Sequence, residues 1–267
     1  MRYFFHIAYQ GQHFSGWQKQ PGVKSVQEVI EQTLFKILKT PIPIIGCGRT
    51  DAHVHASQFF FHADIEQAFE FDLLYILNKA LPYNIAVFNI TKMEGKPHAR
   101  FDAVQRKYDY FIHTYKDPFL SNQSSFYQLK NLDFEKMKAV VALLPKYKDY
   151  RAFCTHPDKY EHTICNVMEA KLFVNPKGDR FRFHIASNRF LGKMIRITMG
   201  KILMVGKGEL SVDEFESELI NLKASKLSLP AHPTGLYLSK VSYPYLNLEP
   251  RTEIIDAVQG NNDWILL

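Results

Sequence analysis

The sequence predicts an α+β protein made of two related domains, residues 1–104 and 105–267, in which antiparallel sheets are flanked by helices. The first domain shows strand and helix patterns in the order β-α-β-β-α-β, which is the split βαβ arrangement. Strand and helix patterns follow in a similar order in the second domain. Its turn, Asn175-Pro176-Lys177-Gly178-Asp179, separates two apolar runs and predicts a hairpin.

The first domain opens with a strand rich in aromatic residues, from Arg2 to Tyr9. The clearest helix follows from Ser25 to Lys39, because its apolar residues recur three and four positions apart. Ser25-Val26-Gln27-Glu28 has the spacing of a capping box, which predicts that the helix begins there. The other predicted elements are strands at 42–47, 57–62 and 84–90 and a helix at 71–81.

The elements of the second domain are predicted from the same periodicities. They are strands at 104–115, 163–174, 180–186 and 236–241 and helices at 133–144, 190–205 and 211–222. After Tyr243 no periodicity is readable, so no element is predicted for the tail.

The composition indicates a globular protein without membrane spans. The chain has 267 residues, of which 46% are hydrophobic, and no run approaches the roughly 18 apolar residues that a membrane helix needs. The three cysteines, at positions 47, 154 and 165, have neither the count of a disulfide framework nor the spacing of a zinc knuckle. A reducing, cytoplasmic environment is therefore expected.

Positive charge is concentrated in one part of the chain. The formal charge is +6, and residues 177–207 contain eight Lys or Arg but one acidic residue. Within this stretch, Arg189, Lys193 and Arg196 are spaced to share one face of the predicted helix. Such a cluster fits either a polyanionic partner or a solvated helix face.

The loop 46–56, between two predicted strands, carries the most reactive combination of side chains. Arg49 and Asp51 can project to the same side of an extended loop. The arginine would favour an ionised carboxylate, which can act as a nucleophile or base, although an ordinary surface ion pair has the same spacing. His53 and His55 offer an alternative, the zinc-binding pair of amidohydrolase-type barrels. The element order counts against such a barrel.

Five motifs follow one another along the chain. They are Gly11-x-x-Phe14-x-Gly16-Trp17-Gln18-x-Gln20; Gly48-Arg49-Thr50-Asp51-Ala52-x-Val54-His55-Ala56; His98-Ala99-Arg100-Phe101-Asp102-Ala103 with Arg106-Lys107-Tyr108-x-Tyr110; Phe190-Leu191 with Met194-Ile195-Arg196 and Gly200; and Gly235-Leu236-Tyr237-Leu238. Together they resemble the motifs of the TruA-type tRNA pseudouridine synthases. Five matches in the order of the family are far more specific than any one of them.

The resemblance implies that Asp51 is the catalytic carboxylate, that Tyr108 stacks on the target base, and that Arg49 and Arg196 surround the carboxylate. It also implies RNA-binding roles for Arg100, Arg106, Lys107, Arg189 and Lys193. The implied reaction is the isomerisation of uridine to pseudouridine in the anticodon stem-loop of tRNA, without a metal or other cofactor. A homodimer is implied as well, with a positively charged cleft between two α+β domains.

Four positions depart from the family pattern. The chain has His53 where the family usually has glycine, Gln10 where it has aspartate, Gly192 where it has histidine, and His232 where proline is common. His53 and Gly192 flank the expected site and bear on which uridine is modified. The alternatives are a non-catalytic RNA-binding protein of the same fold and a zinc hydrolase that uses His53 and His55.

Overall fold

The computed structural model describes residues 1–66, 70–224, 229–251 and 264–267, which form an α+β fold. These residues divide into two compact units, one made of 1–106 and 237–251 and the other of 107–236 and 264–267. The predicted domain 1–104 lies within the first unit. No helix among the described residues is long and apolar enough to cross a membrane.

The first unit contains one sheet and two helices. Its elements are β1 (Arg2–Tyr9), α1 (Val26–Leu38), β2 (Ile44–Gly46), β3 (His55–Asp64), α2 (Leu73–Ala80), β4 (Ile85–Lys92) and, late in the chain, all but the first residue of β9 (Leu236–Ser242). The strands lie in the order β9-β3-β1-β4, and β2 pairs with β3. Strand β1 runs antiparallel to β3 and β4, whereas β9 is parallel to β3. The predicted β-α-β-β-α-β order is confirmed, and β9 joins this unit from the predicted second domain.

Aromatic side chains form the core of the first unit. Phe5 and Phe61 are partners in the β1–β3 register, and their ring centroids lie 4.5 Å apart. The Trp17 indole lies 4.1 Å from the Phe59 ring, and a Cβ on Gly46 would lie 2.6 Å from that indole. All four rings are buried, and they pack closely beside β2, the strand that precedes the loop of Asp51.

Helix α1 begins where its capping residue predicts. Ser25 Oγ accepts a hydrogen bond from Glu28 N at 3.2 Å. The N–H of Val26 donates to Gly16 O at 3.1 Å, which satisfies a free donor of the first helical turn. The start of the helix therefore also holds the segment around Gly16 in place.

The second unit contains most of β5 (Gln105–His113) together with β6 (Ser125–Phe126), α3 (Phe134–Leu143), β7 (Val167–Val174), β8 (Arg180–Ser187), α4 (Met194–Gly206), α5 (Val212–Asn221) and β10 (Ile265–Leu266). Its strands lie in the order β10-β7-β8-β5, and β6 pairs with β5. The predicted hairpin is confirmed as antiparallel β7 and β8. The sequence patterns did not predict β6 and β10, each of which is 2 residues long.

Helix α4 begins later than the apolar periodicity predicts. The expected helix was 190–205, but α4 begins at Met194 and is preceded by Lys193, whose φ of 57° is left-handed and incompatible with a right-handed helix. Arg189 and Lys193 therefore lie in the connection before the helix, and Arg196 lies on it. The prediction that all three share one helix face is wrong.

Candidate active site and RNA interface

Asp51 is half-buried in the loop between β2 and β3, which we call the Asp51 loop (residues 47–54). The residue before it is fixed through its side chain, because the buried hydroxyls of Thr50 and Tyr9 lie 2.9 Å apart. After it, Val54 N donates to Asp51 O at 3.2 Å and closes a turn. The backbone on both sides of the carboxylate is thus held in one geometry.

Two glycines of the first motif lie directly against the Asp51 loop. A Cβ on Gly11 would lie 1.9 Å from Val54 O, and a Cβ on Gly16 would lie 2.4 Å from Thr50 O. Gly16 also has a φ of +88°, a left-handed conformation that favours glycine. Trp17 N donates to Thr50 O at 3.2 Å. The motif therefore positions the loop, a role that its spacing alone did not predict.

His53 occupies the third position of the turn that begins at Asp51, and its φ is 66°. That conformation suits glycine best, which accounts for the glycine that the family usually has here, and histidine is among the side chains enriched there. The ring Nδ1 lies 2.6 Å from Gln12 O, and the backbone N donates to Phe14 O at 3.2 Å. These two hydrogen bonds offset part of the backbone strain.

His55 is 1% exposed, and its Nδ1 accepts a hydrogen bond from Gly11 N at 3.2 Å. Its ring stacks on Tyr237 with 4.6 Å between centroids, whereas the His53 ring contacts Gln12 O. Within the described ranges, no group of three or more His, Cys, Asp or Glu side chains is placed to hold a metal ion. The two imidazoles serve separate structural contacts, which do not favour a zinc hydrolase.

Arg106, one of the predicted RNA-binding residues, holds backbone carbonyls. Its Nη2 donates to Cys47 O and to Arg100 O, each at 2.7 Å, and its Nη1 donates to Ala103 O at 3.3 Å. Burial raises the pKa of the Cys47 thiol to about 11, although the nearby guanidinium lowers it in part, so the thiol is protonated at neutral pH. Arg106 thus joins the start of the Asp51 loop to the segment that carries Arg100.

In the second unit, the predicted residue Tyr108 is buried and Arg196 is half-buried. Tyr108 is 8% exposed, and its ring packs edge-on to Phe190 with 5.1 Å between centroids. Arg196 lies in the first turn of α4, and its Nε donates to Ala231 O at 2.7 Å. Ala231 N donates back to Arg196 O at 2.8 Å. These contacts limit the orientations that both side chains can adopt.

A side chain at Gly192, where the family usually has histidine, would have to displace neighbouring side chains. A Cβ there would lie 2.8 Å from Tyr160 Oη and 3.2 Å from Thr155 Oγ1. Gly192 N donates to Tyr160 Oη at 2.8 Å, and Gly192 O accepts from Thr155 N at 3.1 Å. Because these bonds tie Gly192 to neighbours outside any helix, they explain why α4 begins only at Met194.

Several of the basic residues between 177 and 207 pair with acidic side chains. Lys201 lies 2.6 Å from Glu218, Arg182 lies 2.7 Å from Asp109, and Lys207 lies 2.7 Å from Glu209. Lys201 and Glu218 are both buried, whereas Lys193 is exposed. The charge count therefore overstates what this segment can offer to a polyanion.

Two further predicted RNA-binding residues also have neighbours within their unit. Lys107 Nζ lies 3.7 Å from a carboxylate oxygen of Glu169, and Arg189 Nη1 lies 3.2 Å from the His162 ring. Both basic side chains are partly exposed. Their contacts orient them without enclosing them.

Comparison with known proteins agrees with the motifs. A family model described as tRNA pseudouridine synthase matches residues 147–244.

Three bacterial proteins named tRNA pseudouridine synthase A are similar over most of the chain. The protein of Porphyromonas gingivalis is 36% identical over 248 residues, which cover 91% of this chain and 97% of that protein. The protein of Parabacteroides distasonis is 39% identical over 249 residues (91% and 96%), and that of Bacteroides fragilis is 37% identical over 246 residues (91% and 96%). With identities of this size over nearly the full length of these relatives, the chain belongs to the tRNA pseudouridine synthase family.

Proposed function

We propose that this protein isomerises uridine to pseudouridine in tRNA and that Asp51 is the nucleophile. The observation that carries the proposal is the Asp51 loop in a chain of this family: its backbone lies directly against Gly11 and Gly16, and its Thr50 hydroxyl is bound to Tyr9. A nucleophile must be held within about half an ångström of its productive position, and a loop fixed along its backbone meets that requirement.

The reaction is an isomerisation, so it needs no redox partner. The bond between uracil N1 and ribose C1′ breaks, the base turns, and a new bond joins C5 to C1′. C5 loses its proton and N1 gains one, so atoms and electrons balance without a cofactor. Asp51 supplies the carboxylate that adds to the sugar or to the base while the glycosidic bond is broken.

Aromatic and basic side chains support this step. The target base must leave its stack, which costs a few kcal/mol, and stacking on an aromatic side chain such as Tyr108 offsets about 1–3 kcal/mol. Arg49 and Arg196 bind phosphates of the RNA near the reacting nucleotide. Arg100, Lys107, Arg189 and Lys193 contribute a salt-dependent share of the affinity for RNA. Arg106 acts through the backbone that it holds.

The proposed substrate is the anticodon stem-loop of tRNA. We infer, from the family resemblance, that it binds in a positively charged cleft between two related domains of a cytoplasmic homodimer. Sedimentation equilibrium tests the dimer, because a dimer has twice the 31.1 kDa mass of the chain. A monomer at the concentrations used for activity would contradict that part of the proposal.

The test uses an unmodified tRNA transcript and maps pseudouridine at single-nucleotide resolution, since isomerisation leaves the mass unchanged. Asp51→Asn keeps the size of the side chain and removes the nucleophile. We expect it to bind tRNA within about twofold of the wild type and to show no turnover. Turnover by Asp51→Asn at the wild-type rate would exclude Asp51 as the nucleophile. A wild-type protein that binds tRNA without turnover would instead support the non-catalytic alternative.

A further inference from the structure

One segment of the first unit, residues 96–103, is immobilised by side chains from elsewhere in that unit. Arg2 donates to Lys96 O at 3.0 Å and Pro97 O at 2.9 Å, Tyr243 to Ala99 O at 2.6 Å, and Arg106 to Arg100 O at 2.7 Å and Ala103 O at 3.3 Å. Five backbone carbonyls of a connecting segment are thus bound by three side chains. Such a segment holds its exposed side chains in a fixed orientation before any ligand arrives.

Two histidine side chains, those of His62 and His98, hold the same segment through further hydrogen bonds. His98 Nδ1 accepts hydrogen bonds from Arg100 N at 3.1 Å and Phe101 N at 3.2 Å, and His62 Nδ1 accepts one from Ala99 N at 3.1 Å. Burial lowers the pKa of His62 to about 4 and also lowers that of His98, so both rings are neutral at pH 7 and can accept these bonds. The turn is therefore built around two imidazoles in a defined protonation state.

An aromatic ring projects from this fixed turn into solvent. Phe101 is 76% exposed, and its ring stacks on that of His98 with 4.2 Å between centroids and 26° between planes. The Arg100 guanidinium lies 5.8 Å from the Phe101 centroid. The exposed ring leaves apolar surface in water, as the other exposed aromatic rings of this protein do. A ligand that covers the ring would remove that surface from water.

A cavity lies beside these side chains. Arg49 and Arg100 both line it, its volume is about 190 Å³, and Trp17, Gln27 and Gly48 form other parts of its wall. Arg106 fixes two sides of this region, since the same guanidinium binds the carbonyls of Cys47 and Arg100. Two exposed arginines line this one cavity, and guanidinium groups match the geometry of a phosphate.

We propose that Arg100 and Phe101 form a nucleotide subsite beside the Asp51 loop, in which a phosphate binds Arg100 and Arg49 and an unpaired base stacks on Phe101. The inference rests on the proposed function, and its ligand is a nucleotide of the same RNA other than the uridine that is isomerised. Stacking on an aromatic ring tolerates any base, so this subsite contributes affinity and register without selecting a sequence.

Phe101→Ala tests the stacking part, and Tyr83→Ala is its matched control, because Tyr83 is an aromatic residue of the same unit that is even more exposed (88%). We expect Phe101→Ala to weaken binding of an unmodified tRNA transcript by roughly 5- to 100-fold, Phe101→Trp to restore it, and Tyr83→Ala to leave it unchanged. The loss is expected mainly in KM, with kcat within about threefold. A ring with only a structural role would not be rescued by the larger indole.

Arg100→Ala tests the phosphate part. We expect the slope of log K against log salt to become shallower by about one, and Arg100→Lys to retain most of that slope. Wild-type tRNA affinity in both Phe101→Ala and Arg100→Ala would overturn the proposal. So would a change in oligomeric mass at unchanged affinity, since Phe101 would then contact another copy. Because binding is measured directly, these outcomes are separate from a wild-type protein without turnover, which would refute the proposed function alone.

Discussion

Two regions of the molecule carry the groups expected to act on RNA, and they are built in different ways. The Asp51 loop is held both by its backbone, which Gly11 and Gly16 contact closely, and by the side chain of Thr50. The basic stretch 177–207 has no such common support. It is divided among a strand, a connection and a helix, and several of its charges pair with neighbouring carboxylates.

The two regions differ in how much of their structure can be predicted from the sequence pattern. In the loop, the motif residues are the ones whose size and backbone conformation the geometry requires, so the pattern and the structure describe the same constraint. In the basic stretch, the pattern is a count of charges, and a count does not say which charges are buried, paired or exposed. Lys201 and Lys193 contribute equally to the count, yet one is 1% exposed and paired and the other is exposed.

Among residues outside the proposed catalytic groups, the largest expected effect on activity comes from disturbing the loop through Gly11. A Cβ there would lie 1.9 Å from Val54 O, so Gly11→Ala must displace the backbone that carries Asp51. A displacement of about 1 Å at a catalytic group can reduce activity by about 100-fold. We expect kcat on tRNA to fall by about that factor while the affinity for tRNA changes little.

The control is Gly22→Ala, because a Cβ on Gly22 meets no atom within 4 Å, although its φ of +75° also disfavours alanine. We expect a loss of stability of roughly 1 kcal/mol there and no loss of kcat. Equal effects of both substitutions on kcat would mean that general destabilisation, and not the position of the loop, limits the activity.

A substitution of Lys201 in the basic stretch tests whether this residue affects the stability of the fold or the binding of RNA. Lys201 and Glu218 form a buried pair at 2.6 Å, so Lys201→Met leaves a buried carboxylate without its cation. We expect the free energy of unfolding to fall by about 3–5 kcal/mol, measured by urea denaturation, and the tRNA affinity of the folded protein to stay the same. Lys201→Met combined with Glu218→Leu is expected to recover most of the stability. A weaker affinity in the stable double variant would show that Lys201 does act on RNA.

Most of the fold could be predicted because its elements are marked locally. Strand β1 has the predicted bounds, and α1 begins at the predicted cap, Ser25. The start of α4 could not be predicted, because it is set by contacts with residues distant in sequence. Gly192 forms hydrogen bonds with Thr155 and Tyr160, and the spacing of the apolar residues around Gly192 does not predict those bonds.

The candidate site shows the same limit. The motifs identified Asp51 and its loop, but they did not predict that Arg106 binds three carbonyls of its own unit. Its contact with RNA stays a prediction. Gln12 and Phe14 support the loop through backbone carbonyls, which any residue could provide, so their identity gave no signal. The left-handed backbone at His53 could have been predicted, because the glycine that is usual at this position indicates a positive φ.

The smallest expected effect is that of an exposed charge. Lys193 is exposed in the connection before α4, so Lys193→Ala is expected to weaken tRNA binding a few-fold at moderate salt and to make the salt slope shallower by about one. Lys207→Ala is the matched control from the same stretch, because Lys207 Nζ already lies 2.7 Å from a Glu209 carboxylate oxygen. We expect a smaller change in slope there. An unchanged slope in Lys193→Ala would place the RNA elsewhere, and equal changes in both variants would mean that total charge, rather than its position, governs binding.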